Sequence, residues 1–147
     1  MTLRDITDRI TKAEAAAGRT PGAVSLIAVS KVQPNARVEA VLQEGQRIFG
    51  ENKVQEAAGK WPAFREQFSD VELHLIGPLQ TNKARQAMEL ADYIHTLDRP
   101  KLAQTLARLA QRLVPDLLRC GDAEREAFLA VQADELLVDA GGRRAGR

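Results

Sequence analysis

Lys31 directly follows an apolar run, Val24-Ser25-Leu26-Ile27-Ala28-Val29-Ser30. An amine rising from such a run is partly desolvated, which disfavours its charge and frees it as a nucleophile toward carbonyls. Position alone favours a plainer reading, a solvated lysine at a strand end. Gly50-Glu51-Asn52 closes a second apolar stretch. A glycine there permits close backbone approach, and Asn52 can cap a helix or hydrogen-bond a planar ligand, with capping the simpler role. The third cluster is His74-Leu75-Ile76-Gly77-Pro78-Leu79-Gln80-Thr81-Asn82-Lys83. His74 and Ile76 share one strand face. Gln80, Asn82 and Lys83 crowd the following turn, where polar donors ahead of a helix suit an anion or a cofactor. The alternative is a Thr81 or Asn82 helix cap, a solvated Lys83 and a structural His74. The distinguishing signal is that three successive turns carry such residues at one end of a sheet.

The elements that must position them alternate. Thr2 and Asp5 form a capping-box pattern ahead of Leu3, Ile6, Ile10, Ala13 and Ala17, with Gly18 as the stop. The run before Lys31 is too short for a helix and suits a strand buried on both faces. Asn35 is placed to cap a helix carrying Val38, Val41 and Leu42, closed by Gly45. Arg47-Ile48-Phe49 reads as a strand ending at Gly50. Asn52 opens a helix through Val54, Ala58 and Trp61 and on to Phe64 and Phe68, which Pro62 is expected to kink or interrupt. Residues 72–76 are a third strand, and Thr81 or Asn82 starts the helix of Ala84, Ala87 and Met88. Tyr93-Ile94-His95-Thr96 is a fourth strand, and Asp98 caps a helix through Leu102, Leu106, Leu109 and Leu113. One helix followed by four βα units predicts an α/β fold with right-handed crossovers and a parallel sheet. Four units are half of a (β/α)8 barrel, and 147 residues are too few for the ~250 of a whole one.

Composition bounds the function. Lys+Arg number 21 against 20 Asp+Glu, a net charge of +1, and aromatic residues make up only 4%. That argues against nucleic acid and against an anionic membrane surface as partners. Cys120 is the only cysteine, and His74 and His95 the only histidines, so disulfide and cysteine–zinc chemistry have no material and no metal site is expected. No stretch nears the ~18 apolar residues of a membrane span, and the N-terminus lacks a signal-peptide pattern. These signals predict a cytoplasmic protein.

Taken together, Ala28-Val29-Ser30-Lys31, Phe49-Gly50-Glu51-Asn52-Lys53-Val54-Gln55-Glu56, the cluster from His74 to Lys83, and His95-Thr96-Leu97-Asp98 resemble the YggS/PROSC family of pyridoxal 5'-phosphate homeostasis proteins. Leu75, Thr81 and Lys53 are mild departures, at positions where that family favours an aromatic, serine and tyrosine. The resemblance implies a barrel like the N-terminal domain of alanine racemase. It implies pyridoxal 5'-phosphate as cofactor, held as a Schiff base on Lys31 with Asn52 beside the ring. His74, Gly77, Gln80 and Asn82 complete the expected cofactor-binding set. The implied role is cofactor binding and homeostasis without catalytic turnover, with PLP-dependent apo-enzymes as possible recipients. Two other readings stay open: a racemase-like or lyase-like enzyme using Lys31, and a non-functional fragment with weak or no cofactor binding.

The resemblance in motif ends near residue 113. All six lysines precede residue 102, and arginine becomes denser beyond residue 111. The family's Ser-Met-Gly-Met-Ser and Arg-Ile-Gly-Thr stretches, which the resemblance makes the phosphate cradle and the arginine near the pyridine nitrogen, are not in this sequence. Residues 1–113 are therefore expected to be a partial barrel, and residues 114–147 a divergent piece of a truncated or frameshifted copy. Leu117-Leu118 could begin a further strand, and residues 123–140 read as a helix through Phe128, Val131, Leu136 and Leu137, ahead of a frayed tail. Losing charge-assisted bonds of roughly 1.5–3 kcal/mol each would weaken cofactor affinity by orders of magnitude. A half-barrel also exposes strand edges, so the chain is expected to be a monomer or to associate through them.

Overall fold

A computed structural model describes residues 2–113 and 127–132. The described elements are α1 (Leu3–Ala16), β1 (Val24–Val29), α2 (Asn35–Gln43), β2 (Ile48–Glu51), α3 (Val54–Gln67), β3 (Glu72–Leu75), a 3-10 turn (Thr81–Lys83), α4 (Ala84–Leu90), β4 (Tyr93–Ile94), α5 (Pro100–Leu113) and β5 (Ala127–Gln132). The strands form one sheet in the order β4-β3-β2-β1-β5. Every pairing is parallel. The α/β class and the four successive βα units expected of a partial barrel are thus present.

The sheet has two differently used faces. Parallel partners Ala28↔Phe49 and Phe49↔Leu73 point one way, onto a core that includes Trp61 and Phe64 of α3, Ala84 and Ala87 of α4 and Leu102 of α5. The Phe49 and Trp61 rings lie 4.9 Å apart and tilted, a favoured aromatic geometry. Partners Val29↔Gly50 and Gly50↔His74 point the other way. A Cβ built at Gly50 would meet Ile27 Cγ2 at 2.9 Å and Ile76 Cδ1 at 3.0 Å. Ile27, Val29, Gly50, His74 and Ile76 therefore share the face that would line the inside of a barrel.

Local signals held at the first helix. Asp5 N–H donates to Thr2 Oγ1 at 3.2 Å, and Thr2 N–H donates to the Asp5 carboxylate at 2.7 Å, completing the capping box. Gly18, with φ +63°, takes the left-handed turn after the helix. Other caps differ. Asn35 and Asn52 cap nothing: Pro34 and Lys53 hold the N-cap positions of α2 and α3. Extended backbone at these residues makes the entry, and neither supplies a side-chain bond. Thr81 and Asn82 fall inside the 3-10 turn, and Asp98 holds the Arg99 guanidinium at 2.6 Å. Pro62 does not interrupt α3, which runs on to Gln67. Pro62 is exposed between buried Trp61 and half-turn neighbour Phe64, so water can satisfy the carbonyl that its missing N–H leaves free.

The C-terminal helix is a correction. Within residues 123–140, Ala127–Gln132 is a strand, pairing with β1 from Val24↔Ala127 to Val29↔Gln132. A six-residue apolar run carries no period that separates a doubly buried strand from a helix, and the free edge of β1 decides it. The expected strand at Leu117-Leu118 lies outside the described residues, as does the rest of that helix.

Candidate functional site

Ligands of parallel α/β sheets sit beyond the carboxyl ends of the strands, and three sequence-predicted residues meet there. Lys31 is two residues beyond Val29, and Asn52 two beyond its partner Gly50, so both stand just past the ends of neighbouring strands. Ser30 N–H donates to Gly50 C=O at 3.0 Å and Ile76 N–H to Glu51 C=O at 2.9 Å, extending the ladder to this rim. Gly77 completes it. A Cβ built there would lie 2.5 Å from Asn52 O and 2.7 Å from Asn52 Cα. Only glycine permits this approach. Thr96 Oγ1 donates to Gly77 C=O at 2.8 Å, fixing the same peptide from the β4 side.

Lys31 is half-buried, and its amine makes no hydrogen bond or ion pair among the described residues. Gln80 and Asn82 lie in the next loop, both exposed, on the same rim but outside the Lys31–Asn52–Gly77 junction.

His74 sits elsewhere. It is fully buried, below the rim on the inner face. Its Nε2 lies 2.7 Å from Glu72 Oε1 and its Nδ1 2.7 Å from His95 Nε2. Its ring stacks on Tyr93 at 4.6 Å. Both ring nitrogens of His74 thus have protein partners. Burial and then the neighbouring His74 hold His95 below the ordinary histidine range.

Sequence reasoning missed the polar cluster behind the rim. Lys60 Nζ donates to Ser30 C=O at 2.9 Å, to Glu51 Oε1 at 2.9 Å and to Glu56 Oε1 at 3.3 Å. Glu51 Oε1 also accepts from Ser30 Oγ at 2.7 Å and from Trp61 Nε1 at 3.2 Å. Glu51 is fully buried and Lys60 is 7% exposed. A buried carboxylate demands such partners. The available signal was Glu56 and Lys60 four residues apart on one helix, on the face of Trp61's helix that looks at Glu51.

Comparison with known proteins bears on this geometry. The pyridoxal phosphate homeostasis protein of Vibrio alginolyticus is 45% identical over 106 residues, covering 71% of this chain and 46% of that protein. Over this stretch the chain is similar to the pyridoxal phosphate homeostasis proteins. The homeostasis protein of Pasteurella multocida is 42% identical over 138 residues, 92% of this chain and 59% of that protein. A match of that extent runs past residue 113, further than the motifs alone carried the likeness. PipY of Synechococcus elongatus, solved with pyridoxal phosphate bound, is 44% identical with a TM-score of 0.60, covering 74% of this chain and 49% of PipY. The chain spans about half the length of the curated homeostasis proteins it matches. No family model matches it. Among the described residues no helix is long and apolar enough to cross a membrane, and no cluster of metal-ligating side chains occurs.

Proposed function

We propose that the chain binds pyridoxal phosphate through a covalent link to Lys31 and serves the homeostasis of that cofactor as a carrier, without turnover. One observation carries the reading: an amine without an ion-pair partner among the described residues stands just past the carboxyl end of β1, beside the strand end that carries Asn52 and the close-packed Gly77. When bound, the cofactor supplies an aldehyde that condenses with an amine and releases water. The rim residues fit that aldehyde end. Lys31 supplies the nucleophile, Asn52 a side-chain amide for polar groups of the ring, and Gly77 the flat backbone wall. Exposed Gln80 and Asn82 extend the polar rim toward solvent.

The carrier reading is preferred to a racemase-like catalyst because a second acid or base must face the opposite side of the ring. Tyr93, the sole tyrosine, is stacked on His74 on the inner face. PLP-dependent apo-enzymes are the proposed recipients, and a reducing cytoplasm is the proposed compartment.

The test is to mix the full chain with pyridoxal phosphate, reduce with borohydride and map the adduct by mass spectrometry, with Lys31→Ala as control. A stoichiometric adduct at Lys31, lost in Lys31→Ala, is expected. Label scattered over several lysines, or absent, overturns the reading.

A further inference from the structure

We propose that Glu56 and Lys60 of α3 are positioning residues for Lys31, acting by clamping the two peptide groups that flank it. The proposal rests on the reading of Lys31 as the cofactor-binding lysine.

Lys60 Nζ holds the carbonyl of Ser30, the residue before Lys31, at 2.9 Å. The Glu56 carboxylate accepts the N–H of Val32, the residue after it. The same Glu56 oxygen receives Lys60 at 3.3 Å, so one ion pair grips both sides of Lys31. The grip has a visible effect on the backbone. Val32 has φ +59° and is the one non-glycine residue with positive φ among those described. A β-branched side chain disfavours that region strongly. Val32 is also 83% exposed, so packing of its side chain does not hold it there. Two bonds hold it: the turn bond from Gln33 N–H to Ser30 C=O at 3.1 Å and the Val32 N–H to Glu56 bond, which ties that turn to α3.

Lys60 is itself fixed. It is buried against Glu51, whose Oε1 also takes Ser30 Oγ and Trp61 Nε1. The clamp is therefore anchored in the core of the sheet–helix layer, and helical spacing turns Glu56 and Lys60 to the same side. Ordinary turn chemistry would let Lys31 end its strand in many directions. The Ser30–Gln33 turn and the clamp narrow these by fixing the backbone from which the Lys31 side chain departs, and orienting a nucleophile in advance lowers an entropic barrier to attack.

The test uses the full chain without and with cofactor. Rates of borohydride-trapped attachment at Lys31 are compared for wild type, Glu56→Gln and Glu56→Ala, with the share of label on Lys31 against the other five lysines. Competitive acetylation of the cofactor-free chain reads the environment of Lys31 independently. Glu56→Ala is expected to slow attachment about tenfold and to spread label to other lysines. Glu56→Gln keeps an acceptor and is expected to be intermediate. Lys31 acetylation relative to the other lysines should change in the same order, measured at a temperature where Trp61 fluorescence shows the variants folded. Wild-type rate and selectivity in Glu56→Ala overturn the clamp. If Glu56→Ala does not fold, an unchanged rate in Glu56→Gln overturns it. If wild type itself shows no selective attachment at Lys31, the cofactor reading fails instead, which the acetylation order separates from failure of the clamp.

Discussion

Gly77 lies against the backbone of Asn52 so closely that a Cβ on it would come within 2.5 Å of the Asn52 carbonyl oxygen. The ends of β2 and β3 meet there without side chains between them, and the rim of the site takes its shape from that contact. At Gly50 the atoms in the way are instead side-chain atoms, Ile27 Cγ2 at 2.9 Å and Ile76 Cδ1 at 3.0 Å.

The two glycines should consequently differ. Gly77→Ala forces a methyl against the Asn52 backbone and is expected to cost about 1–3 kcal/mol, the range for overpacking. Gly50→Ala meets side-chain atoms, which can shift where backbone cannot, and should cost less. Urea denaturation followed by Trp61 fluorescence, the single tryptophan, compares them. Equal losses would contradict this account.

Buried Lys60 and Glu51 should be strongly coupled. Lys60→Met strands the Glu51 carboxylate, whose Oε2 already lacks a partner, and is expected to cost about 3–5 kcal/mol. Adding Glu51→Gln to Lys60→Met removes the stranded charge, so the double variant should be more stable than the sum of the single losses by roughly 0.5–3 kcal/mol. A double-mutant cycle by denaturant titration measures this, and strict additivity would refute it.

Acid should destabilise the fold through His95. Its folded pKa is held below the ordinary value, first by burial and then by His74. Below about pH 6.5 the unfolded chain takes up this proton while the folded chain resists it, so stability is complete above that pH and falls as pH drops toward the folded value. His95→Gln should flatten this part of the stability–pH curve. Denaturation midpoints between about pH 8 and pH 5 test the slope against wild type. A His95→Gln curve as steep as wild type would assign the dependence to other groups.

The Thr2 cap should matter locally. Thr2→Ala removes the oxygen that receives Asp5 N–H and is expected to cost about 0.5–2 kcal/mol. Thr2→Asn should recover most of it. Thermal melts of the three chains decide, and an unchanged melt in Thr2→Ala would show that the first turn adds nothing to the cooperative unit.

Much of this molecule is determined by sequence alone, where the decisive interaction is local. The capping box at Thr2, the apolar run before Lys31, the helical spacing of Trp61 and Phe64 and the alternation of strands with helices are written within a few residues of where they act. They suffice for a parallel α/β sheet with Lys31, Asn52 and Gly77 at one end. Tertiary structure decided what depends on partners far along the chain. The free edge of β1 made Ala127–Gln132 a strand rather than a helix, because a short apolar run carries no period of its own. Glu72 and His95, the latter 21 residues on, became the partners of the two nitrogens of His74. Lys60 reached across 30 residues to Ser30, since a buried cation takes whichever oxygens the fold brings within hydrogen-bonding distance.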